Sequence, residues 1–113
     1  MIREKTIKQQ IRALKGVLRN ERTSRILEGL RLEMQMDLFI TDLDGGVLYG
    51  NEIPMAHQFP ISDSGNEFAW VKSNREQGVL IADLLSALAQ KDLEKKRIGN
   101  EVLGLYREIN MIY

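Results

Sequence analysis

The sequence predicts an α+β fold in which a small antiparallel sheet of about four strands is flanked by a long helix at each end of the chain. Three observations predict it. Ile7, Ile11, Leu14 and Leu18 recur at the helical period near the N-terminus, with Lys, Gln and Arg between them. Two pairs of β-rich runs, each interrupted by Gly-containing turn residues, follow in the middle of the chain. Residues 79–113 then carry apolar side chains on a repeat of 3.5 residues, the signature of a helix that supercoils with a partner.

The first helix is expected over about residues 3 to 35, with an irregularity at residues 20–24. There Glu21 and Arg25 fall on seam positions and the apolar pattern resumes on a shifted face through Ile26, Leu27, Leu30 and Met34. Thr23 and Ser24 are the candidate caps for a second helix, and a bend without a break is the other reading. The run DLFITD at residues 37–42 and the apolar residues 47–49 enclose Leu43-Asp44-Gly45-Gly46, whose Asp-Gly step accepts the positive φ of a tight hairpin. Residues 51–56 read as a connection. Pro60 confines residues 57–61 to a short or edge strand, because proline has no N–H to give a central ladder. After the turn cluster at residues 62–66, residues 68–72 form a strand with Phe68 and Trp70 expected on one face and Ala69 and Val71 on the other.

In the last helix, setting Ile81 at heptad position a places Ile81, Leu88, Lys95, Val102 and Ile109 at a and Leu84, Lys91, Ile98, Leu105 and Ile112 at d. Eight of these ten are apolar. The expected dimer seam is Leu84, Leu88, Ile98, Val102, Leu105, Ile109 and Ile112, with Leu84 and Leu88 shared between seam and core. Lys91 and Lys95 interrupt it at consecutive core positions, which costs stability and makes this segment the expected register switch. The seam stays apolar to Ile112 without a Gly or Pro stop, so the chain reads as the front of something longer. The expected organisation is a helical segment over residues 1–36, a sheet domain with the start of the last helix over 37–90, and a dimerisation helix over 91–113.

Composition excludes several function classes. Sixteen basic and sixteen acidic residues cancel and form no long block, so neither a nucleic-acid footprint nor a polybasic membrane patch is expected. With no cysteine and one histidine, His57, neither a disulfide nor a Cys-type zinc site can form, and no metal or other cofactor is expected. No apolar run reaches about 18 residues, so no membrane contact is expected from this segment and a cytoplasmic setting is.

Two resemblances bear on chemistry. The segment LFITDLDGG at residues 38–46 is similar to the nucleophile motif of haloacid-dehalogenase-type phosphatases, which implies Asp42 as nucleophile and Asp44 as acid/base. That family has Thr or Ser where this chain has Gly46, and it needs a downstream Lys and a second acidic cluster on a parallel sheet; the hairpin-turn reading of Asp44 and Gly45 is preferred. More extensively, residues 37–51, DLFITDLDGGVLYGN, resemble the opening hairpin of PAS-type sensor domains. Gly65, Trp70, Val71, residues 84–89 and residues 106–110 resemble the end of N-terminal PAS-like or GAF-like regulatory domains of bacterial multidomain signalling proteins. In that group the outgoing helix is a signalling helix, a parallel two-stranded coil ahead of a histidine kinase, nucleotide cyclase or serine phosphatase domain. Glu21-Arg22-Thr23 also resembles a signalling-helix signature, though in the first helix. A full PAS fold has helices between its second and third strands, for which residues 51–57 are too few.

The resemblance implies a non-catalytic regulatory and dimerisation module, a homodimer that relays a conformational change through the coil to an output domain in the same chain. The alternative is a small-ligand sensor, with Tyr49, Phe68 and Trp70 lining the pocket.

Overall fold

A computed structural model describes the backbone of residues 2–54 and 57–112 and the side chains of residues 6–54 and 57–95. Three helices and a four-stranded antiparallel sheet follow one another as α1 (Ile2–Arg19), α2 (Glu21–Glu33), β1 (Leu38–Asp42), β2 (Val47–Tyr49), β3 (His57–Asp63), β4 (Asn66–Ser73) and α3 (Gly78–Ile112). The α+β class expected from the pattern is the one observed.

The N-terminal helical stretch is two helices, and the division is chemical. Asn20 adopts an extended backbone (φ −64°, ψ 124°) and its side-chain oxygen accepts from the N–H groups of Arg22 and Thr23. Those donors would otherwise be orphaned at a helix start. The cap is therefore Asn20, upstream of Thr23 and Ser24. Helix α2 ends at Met34, whose N–H bonds back to Leu30, and Gln35 then turns the chain at φ 49° toward β1.

The sheet order is β2-β1-β4-β3, so the two hairpins are joined through their first and last strands. Register pairs Ile40 with Val71 and Tyr49, and Thr41 with Trp70 and Val47. Residues that pair share a face in an antiparallel ladder. Leu38, Ile40, Ala69, Val71, Phe59 and Ile61 accordingly form one face, and this face meets the helices. Helix α3 lies over β3 and β4, α1 packs beside α3, and α2 packs against α1. Leu14, Leu18 and Leu27 from the first two helices join Ile81, Ala82, Leu85 and Ala89 of α3 in one core with the sheet. Strand β3 takes the edge, where Pro60 costs the ladder least.

A bulge overturns one expectation. The ladder between β3 and β4 pairs Ile61 with Ala69 and Ser62 with Glu67, which leaves Phe68 without a partner. An extra residue re-aims its neighbours. Phe68 is fully buried in the helix-side core together with Ala69 and Val71, whereas Trp70 pairs with Thr41 on the opposite face and is half-buried. Phe68 and Trp70 thus do not share a face.

Because β2 and β3 are opposite edges, residues 50–56 must cross three strand spacings, about 14 Å. The crossover starts at Gly50, which holds φ 79°; a Cβ there would stand 2.9 Å from the Leu38 carbonyl oxygen and 3.3 Å from Phe39. Only glycine permits that backbone and that approach. At the far side, Gly78 opens α3 against Ser73 and Phe59 with no room for a methyl group. Helix α3 has 35 residues and so extends about 52 Å. The radius of gyration, 16.7 Å, exceeds the roughly 13 Å of a globule of this length, as expected if α3 overhangs the sheet domain.

Candidate functional site

Helix α3 carries the candidate site, and the core determines which of its faces is left. Ile81, Ala82, Leu85 and Ala89 follow a helical stripe that is almost wholly buried, and Ser86 at its margin donates from its hydroxyl to the Ala82 carbonyl (2.7 Å) while accepting from the Ser62 N–H of β3 (3.1 Å). This pins the helix to the edge strand. Ile81 is a core residue, with no exposed surface, and Leu85 is the same. Ile81 is the origin of the sequence heptad but stands outside the expected seam, and the domain's own core claims it.

Beside the core stripe runs a second apolar flank. Leu80 is 53% exposed, Leu84 and Leu88 are half-buried, and Ala87 is exposed. At about 100° per residue, Leu80, Leu84 and Ala87 fall within about 60° of one another on the helix surface. Further along, Lys91, Glu94 and Lys95 are exposed, as expected for charged groups on a helix leaving its domain. The remaining seam residues, Ile98, Val102, Leu105, Ile109 and Ile112, lie outside the described side chains.

The connection from β4 into α3 is tied to the end of α2 and the entry to β1 by a small polar cluster. Asp37 donates its N–H to Asn74 Oδ1 (2.8 Å), and Asn74 returns its N–H to the Asp37 carbonyl (3.1 Å). Arg31 of α2 lies 3.8 Å from the Asp37 carboxylate and makes a closer pair with Glu28 at 2.6 Å. That contact holds the Glu28 carboxyl below its ordinary value near 4.5, chiefly through the Arg31 hydrogen bond. The end of α2, the entry to β1 and the entry to α3 are thereby in one network.

The other candidate residues are separated. Tyr49 pairs with Ile40 and packs at the margin of the helix-side core, Phe68 is inside that core, and Trp70 stands on the far face. Sheet and core divide these three aromatic residues, so they do not line a common cavity. On the far face itself, Phe39 and Thr41 are almost fully buried, Lys72 Nζ lies 5.6 Å from the centre of the Phe39 ring, and Thr41 Oγ1 is buried with no hydrogen-bond partner. That hydroxyl had no signal in the sequence, because a β-branched residue in a strand is ordinary until its surroundings are known.

Asp42 serves its own turn. Its Oδ1 accepts from the Asp44 N–H (2.9 Å) and the Gly46 N–H (2.8 Å), and Gly45 takes φ 91°. A Cβ at residue 46 would stand 2.7 Å from Asp42 Oδ2, so glycine at this position leaves room for the Asp42 carboxylate to close the turn. β1 is flanked on both sides by antiparallel strands. His57 is exposed and stacks on Phe59 with ring centres 6.4 Å apart. Among the described residues no group of His, Asp and Glu is placed to hold a metal ion, and no helix is long and apolar enough to cross a membrane.

Comparison with protein-family models, with curated proteins and with solved structures finds no match for this chain.

Proposed function

We propose that this chain is a non-catalytic regulatory and dimerisation module of a signalling protein, in which the sheet domain sets the position of α3 and a pair of α3 helices carries that setting to an output domain. The observation that carries the reading is the division of α3 into two apolar faces. One is consumed by the core, and the other, Leu80, Leu84 and Ala87, is left outside it. Eighteen residues make five full turns of an α-helix. Ile98, Val102 and Leu105 occur eighteen residues beyond Leu80, Leu84 and Ala87, so the flank left by the domain and the downstream seam belong to one stripe in the sequence. A stripe that long has no counterpart in a domain core and suits a second helix.

The polar network of Arg31, Asp37 and Asn74 ties the end of α2 and the entry to β1 to the connection that leads into α3. A small displacement there, worth a few kcal/mol, is sufficient to change the population of two packing states of a coil. The module is read as cytoplasmic, and it resembles PAS-like and GAF-like domains in the residues that form β1, β2, β4 and α3.

The test is replacement of Val102 and Ile109 by Lys. The variant is expected to be monomeric with the circular dichroism of the sheet domain kept; dimers that survive it would remove the seam and the reading with it.

A second reading, a small-ligand sensor, is favoured by one observation, the buried and unpartnered Thr41 hydroxyl facing Trp70 across the ladder. It relocates the ligand site from the Tyr49–Phe68–Trp70 set to the far face of the sheet.

A further inference from the structure

We infer that α1 is a docking surface for an anionic lipid membrane, held to the headgroups by Lys8, Arg12, Lys15 and Arg19. The inference goes beyond the regulatory reading and does not depend on it. From residue 8 to the end of α1 the exposed positions are Lys8, Gln9, Arg12, Lys15, Gly16 and Arg19. Four of them are cations, and the others are an amide and a glycine. Spacings of four, three and four residues put the cations within about 60° of one another around the helix and along about 17 Å of its length. They lie on the side of α1 turned away from Leu14 and the core.

No carboxylate answers them. Residues 5–20 contain no Asp or Glu, and the ion pairs among the described residues belong to Arg25 and Arg31 of α2. The equal totals of acid and base conceal a segregation: residues 6–31 hold seven basic and two acidic side chains, and residues 32–95 hold four basic and eleven acidic. An anionic surface therefore attracts α1 and α2 and repels the rest of the molecule, which sets an orientation as well as an affinity.

The shape of the stripe selects the surface. A helix seated in a nucleic-acid groove has phosphates along both flanks, whereas here the cations occupy one narrow arc and Gln9 and Gly16 the other margin. A straight line of cations on a convex helix makes full contact with a plane. Ile11, Leu14 and Leu18 of α1 are spent on the core, so the contact is with headgroups and does not insert into the acyl region. The expectation of no membrane contact looked for an apolar run or a block of like charge, and this stripe is neither: it is dispersed in the sequence and gathered by the helix.

The experiment sediments the full chain with vesicles of phosphatidylcholine, with and without phosphatidylserine. The chain is expected to pellet only with the phosphatidylserine vesicles at low salt and to be released at about 1 M salt, where the screening length is about 3 Å. Each cation near such a surface is worth about fivefold in partition, so K15Q should lower the partition coefficient about fivefold and R12Q/K15Q about 25-fold. These side chains are exposed and unpaired, so the variants are expected to keep the circular dichroism of the wild type. R75Q removes the same charge from an exposed position outside α1 and should bind as the wild type does. A wild-type chain that stays in the supernatant would overturn the inference, and a duplex DNA shifted by that chain at the same salt would assign the stripe to nucleic acid instead. Equal pelleting with phosphatidylcholine alone, or retention at high salt, would mean apolar adsorption and would overturn it as well. A loss in R75Q equal to that in K15Q would show an effect of net charge and remove α1 as the surface.

Discussion

Thr41 is the residue where the fold and a function make opposite demands. Its hydroxyl is buried without a partner, which costs about 1–3 kcal/mol relative to a satisfied group. Thr41→Val keeps the shape and removes the orphan, so the variant is expected to be about 1 kcal/mol more stable in a urea titration. Destabilisation instead would mean the hydroxyl is satisfied in solution. Glu28 supplies a smaller, pH-dependent effect. Its carboxyl is held below the ordinary value by Arg31, so the contribution is present above the unfolded-state value and is lost as pH falls through the lower folded-state value. Wild type should therefore be slightly more stable than the Glu28→Gln variant at neutral pH, with the difference shrinking as the pH is taken down through the lowered folded-state value, as read by parallel denaturant titrations. Of these two residues neither role was legible in the sequence. Asp44 and Gly45 were, because an Asp-Gly step between β-rich runs has a local, stereochemical meaning that needs no tertiary context.

Among elements, the break between α1 and α2 depends most on one side chain. Asn20→Ala removes the acceptor for two helix N–H groups and is expected to cost about 1 kcal/mol of stability, seen as a lower midpoint in thermal unfolding. An unchanged midpoint would show that water replaces the cap. The apolar pattern placed the irregularity at residues 20–24 without identifying Asn20 as the cap, since an N-cap is polar and leaves no trace in a hydrophobic period. The strands were legible for the opposite reason: alternation and turn residues mark them in place. What alternation could not supply was the bulge at Phe68, because one added residue reverses the face of everything before it, and only the partner strand reveals it. The same limit explains Ile81. Over the first three turns of α3 a 3.5-residue seam and a 3.6-residue core stripe coincide, and the sheet beneath decides between them. The pairing of β1 with β4, separated by both other strands in sequence, is likewise a long-range fact with no local signature.

At the scale of the molecule, apolar surface is distributed unevenly. Helices α1 and α2, the sheet and one face of α3 close a core around Leu14, Ile40, Val71 and Leu85. The other face of α3 leaves that core with Leu80 exposed and continues as a stripe into residues 98–112. A helix of about 52 Å that carries such a stripe is stable in water when something covers it. A second copy of α3 fills that role in the proposed dimer, and the most direct test is the solution mass of the chain by light scattering across a concentration series. The expected result is twice the chain mass of 13.0 kDa, falling toward one chain only on dilution. A mass of one chain that persists at high concentration would contradict the dimer, because the exposed flank of α3 would then have no partner of its own kind.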